Sequence, residues 1–419
     1  MTGLTAHAAL RAVATLCVAA FMGGCAKESP PTAPSAPAAR ARPLTLDTHI
    51  DIPLDYATAT TDPLSADLKV NLTKMAAGGL DVGFFIVFVD QTARTAEGYE
   101  KAATEAETKF AAIHRMAEEL YPQRIEIAYT AADVPRIAAA GKLVAVIGLE
   151  NSYSLGPNLE RIDRFYELGA RYMGLVHDGD NDLARSARPS AALGDAAEST
   201  AGVSALGAEA IARMNRLGVM VDVSHGGKQT ALDAMRLSAA PIIASHSGIA
   251  SINVHPRNMD DETLLALKAN GGVVQIVAYD GYLKLQPPEK AAAQRALRES
   301  VGLTGDTRLS MLSAEQRATY DAGLREINAS WPPATVADLV DHIDYAVKLI
   351  GIDHVGIASD FDGGGGITGW NDAAETANVT AELEKRGYSR EDIDKIWSGN
   401  LLRVWREVER KAAELKAAR

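Results

Sequence analysis

The chain has 419 residues, of which 47% are hydrophobic, and this is enough to bury a large core. The formal net charge of -12 argues against nucleic acid as a partner. The only two cysteines are Cys17 and Cys25, so a disulfide framework does not organise the fold.

The N-terminal segment has the pattern of an export signal. A short apolar run over residues 12–22 follows Arg11 and ends in small residues before Cys25. This run is shorter than the roughly 20 apolar residues that a membrane-spanning helix needs. The letters MGGC resemble a bacterial lipobox, so we expect residues 1–24 to be a lipoprotein signal peptide and Cys25 to be lipidated. A cleaved signal with an incidental cysteine is the alternative.

The Pro/Ala-rich residues 25–42 cannot bury a core, and their composition predicts a flexible tether. Together with a lipid on Cys25, this tether would attach the protein to a membrane. We therefore expect an exported lipoprotein of the bacterial cell envelope that faces the periplasm or the cell surface.

Apolar runs rich in β-branched residues alternate with helix-like stretches along the rest of the chain. The runs cover residues 44–50, 82–89, 143–150, 172–177, 219–225, 241–247, 272–278 and 354–362. Most are continuously apolar, as parallel strands buried on both faces are. Strand and helix alternating about eight times predict one α/β domain over residues 43–419, with a (β/α)8 TIM barrel as the simplest architecture. A large open doubly wound sheet is the alternative.

One segment interrupts this alternation. Residues 279–335 are polar, their pattern indicates helices, and they fall between the seventh strand and its helix. Loops of this length are uncommon unless they are functional. Because the segment would overhang the carboxyl ends of the strands, we interpret it as a helical insertion that covers or shapes a pocket. A decoration without function is the alternative.

Polar side chains with metal-binding chemistry lie at the ends of nearly all of these strands. They are His49, Asp51, Glu150, His177, His225, His246 and Asp360. In a barrel the carboxyl ends of the strands converge on one mouth, where active sites lie. Ionisable groups gathered there are costly unless a cation or mutual pairing compensates. We interpret Asp47, Asp222 and Asp362, which also lie near strand ends, as structural residues such as helix caps.

Histidine nitrogen and carboxylate oxygen suit Zn²⁺, Mn²⁺ or Co²⁺. One catalytic zinc ion uses three protein ligands. The strand ends offer more than three, namely His49, Asp51, Glu150, His225 and His246. A carboxylate that bridges two metals about 3.5–4 Å apart would hold a hydroxide whose pKa is lowered to roughly 7. The pattern therefore predicts a two-metal hydrolytic site.

The motifs around these residues occur in a specific order. They are DTHID, GLEN, GLVHDGDND, VDVSH, IASHSG, HPRNMDDE and GIASDFDGG, followed by GNLLRVWREV near residue 408. In this order they resemble the membrane (renal-type) dipeptidase family, the zinc peptidase family M19, over nearly the whole mature chain. The family sits on an amidohydrolase-like barrel. The Glu of GLEN, where other amidohydrolase-like enzymes often use a carbamylated Lys, favours this branch.

The resemblance implies a role for each metal-binding residue. His49 and Asp51 would bind a first zinc ion, and His225 and His246 would bind a second. Glu150 would bridge the two ions together with a water or hydroxide, which would make it part of the catalytic group.

The resemblance also implies how substrate is held. His177 would contact the substrate and help polarise the scissile carbonyl, and Arg257 would bind its C-terminal carboxylate. Asp360 would move a proton from the attacking water to the leaving amine. By sequence alone, Arg257 would be interpreted as a surface residue near the start of a helix. Further side chains that could line the pocket, without an assigned role, are Ser186, Arg188, His255 and Tyr279.

We therefore expect a binuclear zinc dipeptidase that hydrolyses dipeptides with a free C-terminal carboxylate and tolerates a D-residue there. A homodimer remains open, because dimers are common in the family. One alternative is another amidohydrolase-type metal hydrolase acting on N-acyl amino acids or lactones. Another is a binding lipoprotein that has lost catalysis.

Overall fold

The computed structural model describes residues 42–197, 200–303 and 312–418. The strands of this part of the chain are β1 Leu46–Asp51, β2 Val82–Phe88, β3 Ile125–Ile127, β4 Leu143–Glu150, β5 Ala170–Gly174, β6 Met220–Asp222, β7 Ile243–Ile249, β8 Asn258–Met259, β9 Val273–Val277 and β10 Val355–Ala358. Neighbours in the sheet follow the order β1, β2, β4, β5, β6, β7, β9, β10. The predicted signal peptide, the lipidation at Cys25 and the tether up to residue 41 lie outside the described residues.

The sheet closes where β10 meets β1. The backbone N–H of Asp51 donates to the carbonyl oxygen of Phe361 (2.9 Å), and that of Asp360 donates to the carbonyl oxygen of His49 (3.0 Å). The neighbouring strands around the sheet pair in parallel. The predicted TIM barrel is therefore confirmed, and the open doubly wound sheet is wrong.

All of the predicted strands are present, but three of them end earlier than predicted. The strands β5, β6 and β10 stop before His177, His225 and Asp360, which lie on the loops that follow. Just beyond these strand ends, at His225 and Asp360, the backbone lies in the left-handed region, with φ of 66° and 58°, which a continuing strand does not adopt. Sequence reasoning also missed β3 and β8, which are short and pair only with β4 and β7.

Helices follow the strands. They are α1 Leu72–Gly78, α2 Ala96–His114, α3 Asp133–Ala139, α4 Glu160–Glu167, α5 Ala205–Leu217, α6 Lys228–Leu237, α7 Asp261–Asn270, α8 Asp280–Leu283, α9 Pro288–Ser300, α10 Ala314–Ser330, α11 Val336–Ile350, α12 Ala377–Lys385, α13 Arg390–Asp394 and α14 Asn400–Ala417. The sequence sets their ends: Ser204 caps α5 by accepting from the N–H of Gly207, and Gly218 ends it in the left-handed conformation. Among the described residues, none of the helices combines the length and apolar character that a membrane crossing requires.

The barrel interior is filled from the amino end of the strands. Phe84, Val146, Tyr172 and Met220 are fully buried in one apolar cluster, to which α14 contributes Trp405. The ring centroids of Phe84 and Trp405 lie 6.2 Å apart. The polar residues lie at the opposite, carboxyl end of the strands, where the active sites of barrel enzymes are found.

The predicted insertion is helical where the structure describes it, and it forms α8, α9 and α10. Its two ends are fastened at Asp280. That carboxylate binds the buried Nζ of Lys290 at 2.6 Å and accepts from the backbone N–H of Ala334 at 2.6 Å. On α10, Arg317 forms an ion pair of 2.9 Å with Asp67, which lies on the loop that follows β1. The insertion therefore reaches from the end of β9 to the loop beyond β1.

Candidate metal centre

The structure brings all of the predicted strand-end residues to one place. Their ligand atoms form three overlapping groups, each within 4.8 Å: His49, Glu150 and His246; Glu150, His177 and His225; and His49, Asp51 and Asp360. Glu150 and His49 each belong to two groups, and Glu150 links the two sides of the cluster. The structure therefore places side chains that are far apart in sequence next to one another.

The two oxygens of Glu150 face different partners. Oε2 lies 3.4 Å from His49 Nε2. Oε1 lies 3.1 Å from His225 Nε2, 3.4 Å from His246 Nε2 and 4.0 Å from His177 Nε2. We call the residues His49, Asp51 and Asp360 the carboxylate half of the centre. We call the residues His177, His225 and His246 the imidazole half.

Hydrogen bonds fix which nitrogen of His49 carries the proton. The hydroxyl group of Tyr172 donates to the carbonyl oxygen of Thr48 (3.1 Å), so its oxygen accepts from His49 Nδ1–H at 3.0 Å. The lone pair of the neutral His49 ring is therefore on Nε2, which lies 3.5 Å from Asp51 Oδ2 and faces Glu150. This nitrogen is buried and has no hydrogen-bond partner among the described residues.

The same reasoning applies to His225 and His246. The hydroxyl group of Ser245 donates to Asp222 (2.7 Å) and so accepts from His246 Nδ1–H at 2.9 Å. His225 Nδ1–H donates to Asp178 Oδ1 at 3.2 Å. Both rings are left with a lone pair on Nε2, and these two nitrogens lie 3.0 Å apart.

In their neutral forms, three imidazoles thus direct their Nε2 lone pairs at one carboxylate. Acceptor atoms buried in this way repel each other unless a cation lies among them. Histidine Nε2 with a hydrogen-bonded Nδ1–H, together with carboxylate oxygen, is the usual ligand set of Zn²⁺ and related divalent ions. The residues present therefore fit a metal ion.

The pKa shifts separate the two halves. Burial opposes the charged form of His49, but the carboxylates of Glu150 and Asp51 outweigh it and raise the pKa well above its ordinary value. Burial lowers the pKa of His177 to about 3, and the neighbouring His225 adds to this effect. Burial also lowers the pKa of His246 well below its ordinary value. The carboxylate half attracts positive charge, whereas His177 and His246 stay neutral.

Burial raises the pKa of the Asp360 carboxyl group well above its usual range. The positive charge of His49 opposes this shift, whereas the negative charges of Asp51 and Glu150 add to it. For Glu150 the balance is reversed. Burial opposes its ionisation, but the charge of His49, with the contact to His225, holds its pKa well below the usual range. Glu150 is therefore the ionised carboxylate at the middle of the centre.

Two glycines allow these side chains to meet. A Cβ atom on Gly148 would lie 2.4 Å from the ring of Tyr172, which could then not reach His49. A Cβ atom on Gly363 would lie 2.1 Å from Asp51 Oδ2. Both distances are shorter than any van der Waals contact, so only glycine leaves the carboxylate half in place.

Arg257 lies beside the centre and is buried, with 3% of its surface exposed. Its Nη2 donates to the carbonyl oxygen of His246 at 3.3 Å, and its guanidinium group lies 5.3 Å from the ring centroid of Tyr282. Its Nε has no hydrogen-bond partner among the described residues. The interpretation as a surface arginine is wrong. The rings of His255 and Tyr279 pack on Tyr282 at 4.6 and 4.3 Å, so both lie near the guanidinium group.

Sequence reasoning missed the residues that support the histidines. Tyr172 and Ser245 are ordinary residues of buried strands, and nothing in their sequence context marks them as partners of an imidazole. Asp178 follows His177 directly, and this neighbouring carboxylate was a usable signal. Asp222, inside a buried strand, was another.

The three aspartates interpreted as helix caps instead accept hydrogen bonds from the backbone of other segments. Asp47 accepts from the backbone N–H of Ser359 (2.8 Å), and Asp222 accepts from that of Ser245 (2.8 Å). Asp362 accepts from the backbone N–H of Lys69 (2.9 Å). They are structural, as predicted, but they join strand ends and loops instead of capping the following helix.

Proteins of similar sequence include dipeptidases. The chain is 33% identical over 299 residues to the dipeptidase tcpJ of Claviceps purpurea, which covers 71% of this chain and 59% of that protein. The chain thus spans about three fifths of the length of this relative.

Solved structures give the same result. The probable dipeptidase PvdM from Pseudomonas aeruginosa is 34% identical, with a TM-score of 0.77 over 88% of this chain and 96% of that one. A metallo peptidase from Rhodobacter sphaeroides, liganded with a phosphinate mimic of the dipeptide L-Ala-D-Ala, is 20% identical and shares the fold, with a TM-score of 0.67 over 88% of this chain and 99% of that one. The model of the family described as membrane dipeptidase matches residues 37–419. The chain therefore belongs to the membrane dipeptidase family, Peptidase family M19.

Proposed function

We propose that this chain is a zinc-dependent dipeptidase that hydrolyses dipeptides with a free C-terminal carboxylate. The convergence of three imidazole Nε2 atoms on Glu150, beside the buried guanidinium group of Arg257, carries this proposal. Family membership and the similarity to a probable dipeptidase of known structure support it.

The chain offers ligands for two zinc ions. His49 and Asp51 would hold one ion, and His225 and His246 would hold the other, with Glu150 between them. When bound, the ions supply Lewis acidity and lower the pKa of a water molecule to roughly 7. All of these ligand atoms lie at the carboxyl end of the barrel, where a substrate can enter.

Three further residues would act on the substrate. Arg257 presents a planar fork that binds a carboxylate in bidentate fashion, and its buried Nε is free for that purpose within the described chain. His177 is a neutral imidazole beside Glu150, suited to contact the scissile carbonyl oxygen. Asp360 lies within the carboxylate half, where its carboxyl group, once a bound cation favours its ionised form, would take a proton from the attacking water and pass it to the leaving amine.

We extend the proposal to dipeptides with a D-residue at the C-terminal position. An arginine that binds the carboxylate fixes the end of the chain but does not by itself select the configuration of the last Cα. The L-Ala-D-Ala mimic bound by the Rhodobacter sphaeroides relative motivates this extension.

The test uses the full chain, stripped of metal and refilled with zinc. It is assayed against L,L and L,D dipeptides, with an N-acetylated and a C-amidated dipeptide as controls. We expect zinc-dependent cleavage that C-terminal amidation abolishes, because Arg257 then has no carboxylate to bind. Absence of cleavage of every dipeptide, with about two zinc ions bound per chain, would contradict the proposal. Cleavage of N-acyl amino acids or lactones would then identify the alternative hydrolase.

We further propose that residues 1–24 are removed on export and that Cys25 carries a lipid. The lipobox-like MGGC and the Pro/Ala-rich residues that follow support this. Expressed in a bacterium, the chain should sediment with membranes, and Cys25→Ser should move it to the soluble fraction. An unmodified Cys25 in mass spectrometry of the membrane-bound protein would contradict the proposal.

A further inference from the structure

The ring nitrogens that face away from the metal centre have different partners. Tyr172 and Ser245, the partners of His49 and His246, are neutral hydroxyl groups. His225 instead donates to a carboxylate, that of Asp178, at 3.2 Å. A carboxylate on this side of a ligating imidazole fixes its tautomer and makes the ligand nitrogen more basic.

Asp178 is itself held by a cation. Its Oδ2 lies 3.1 Å from Arg188 Nη1, while its Oδ1 accepts from His225. The two oxygens of Asp178 therefore join the histidine to the arginine.

The loop that carries these two residues is closed by its own backbone. The N–H of Gly179 donates to the carbonyl oxygen of Arg188 at 2.8 Å, and the N–H of Ala187 donates to that of His225 at 2.7 Å. The hydroxyl group of Ser186 accepts from the N–H of Arg188 at 3.0 Å. The loop therefore fixes Asp178 and Arg188 next to His225, so the contact does not depend on flexible side chains alone.

The distribution of charge in the centre indicates how the contact between Asp178 and His225 would affect metal binding. In the carboxylate half, Asp51 and Asp360 lie directly in the cluster. In the imidazole half the histidines are uncharged ligands, and apart from the shared Glu150 their nearest carboxylate is behind His225. The negative charge of Asp178 would make the ligand nitrogen of His225 more basic and so stabilise a divalent ion bound there.

We propose that Asp178 is a positioning residue that sets the metal affinity of the imidazole half, and that Arg188 holds Asp178 in place. This inference rests on the proposed metal centre but not on the choice of substrate. The competing explanation is that Asp178 and Arg188 only stabilise the loop.

The experiment titrates the metal-free full chain with zinc against a chromophoric chelator, which yields the affinities of the two sites. The variants are Asp178→Asn, which keeps an acceptor oxygen but removes the charge, and Asp178→Ala, which removes both. Arg188→Gln tests the second contact. Asp182→Asn is the matched control, because this carboxylate lies on the same loop and accepts from the hydroxyl group of Tyr99 at 2.6 Å.

We expect Asp178→Asn to weaken one site by about tenfold to a hundredfold and to leave the other unchanged. Asp178→Ala should weaken the same site further, Arg188→Gln should weaken it less, and Asp182→Asn should have no effect. Thermal unfolding of the metal-free variants should match that of the unchanged chain. This readout separates positioning of His225 from a general loss of loop structure.

Unchanged zinc affinity in both Asp178 variants would overturn the inference even if the chain cleaves dipeptides. Equal weakening of both sites, with a lower melting temperature of the metal-free chain, would overturn it in favour of the structural explanation. The selective loss of one site in a chain that cleaves no dipeptide would support the inference and contradict only the proposed function. Absence of zinc binding by the unchanged chain would overturn both.

Discussion

The carboxylate half and the imidazole half of the metal centre share Glu150 but differ in where their negative charge lies. In the carboxylate half, Asp51 and Asp360 lie within the cluster, and the carboxylates of Glu150 and Asp51 raise the pKa of His49. In the imidazole half, burial keeps His177 and His246 neutral. The charge of Asp178 there acts from behind His225.

This difference shows how one barrel mouth can form two metal sites with different ligand chemistry. A half that contains its own carboxylates should hold a cation tightly but also needs exact spacing between like charges. A half built from neutral nitrogens can stay open to substrate, and its affinity depends on residues behind the ligands. Variants that change one half at a time should therefore have separable effects.

The largest effect is expected from Glu150→Gln, which breaks both halves at once. Glutamine keeps the shape of the side chain but removes the charge that faces His49 and His225. We expect kcat/KM for dipeptide cleavage to fall by at least about a thousandfold, or roughly 4 kcal/mol, with less zinc retained at both sites. Kinetics and metal analysis of the purified protein measure this. The exposed Glu119→Gln serves as the control, and two zinc ions held as tightly as before would contradict the bridging role.

Asp360→Asn tests whether the carboxylate half contains a residue for proton transfer as well as ligands. We expect both metal ions to remain bound, because His49, Asp51 and Glu150 are intact. The kcat should fall by about a hundredfold to ten-thousandfold, as general acid–base groups contribute that much. Metal content and steady-state kinetics distinguish the two roles. Full activity would remove Asp360 from the chemistry, and loss of one zinc ion would make it a ligand.

Gly363→Ala should damage the carboxylate half selectively. The new Cβ atom would lie 2.1 Å from Asp51 Oδ2, so the carboxylate must move. Overpacking of this kind costs about 1–3 kcal/mol, which predicts a metal affinity roughly 5-fold to 150-fold lower at one site. Gly281→Ala, whose Cβ would meet an atom at an ordinary 3.4 Å, is the control. Equal affinity in both variants would show that Asp51 has room to shift.

The smallest effect is expected from Arg317→Ala, which cuts the link between the insertion and the loop after β1. This ion pair with Asp67 is solvent-exposed, and such pairs contribute at most about 1 kcal/mol. If the insertion shapes the pocket beside the carboxylate half, KM should rise by a factor of about two to five while metal content stays constant. An unchanged KM for every dipeptide tested would favour an insertion without a role in substrate binding.

Much of the fold and the ligand set could be predicted from the sequence, because both depend on local patterns. Continuous apolar runs marked the barrel strands, and the polar residue after each run marked the mouth. His49 and Glu150 could be placed together without coordinates, since parallel strands bring their carboxyl ends to one edge.

The rest depends on loops that no periodicity describes. Two strands end earlier than their apolar pattern suggests, and the backbone beyond them is left-handed at His225 and Asp360. The contact of Asp178 with His225 is between residues 47 positions apart on separate loops, and the burial of Arg257 depends on how its loop folds back on Tyr282. The supporting hydroxyl of Tyr172 reaches His49 only because Gly148 leaves space for the ring.

The most direct test of a two-metal centre bridged by Glu150 is a crystal structure of the zinc-loaded protein with an anomalous difference map recorded at the zinc edge. We expect two peaks on either side of Glu150, one within about 2.0–2.2 Å of ligand atoms of His49 and Asp51. The other should lie at the same distance from Nε2 of His225 and of His246. A single peak, or peaks that leave His225 and His246 without a metal, would contradict the assignment of two halves.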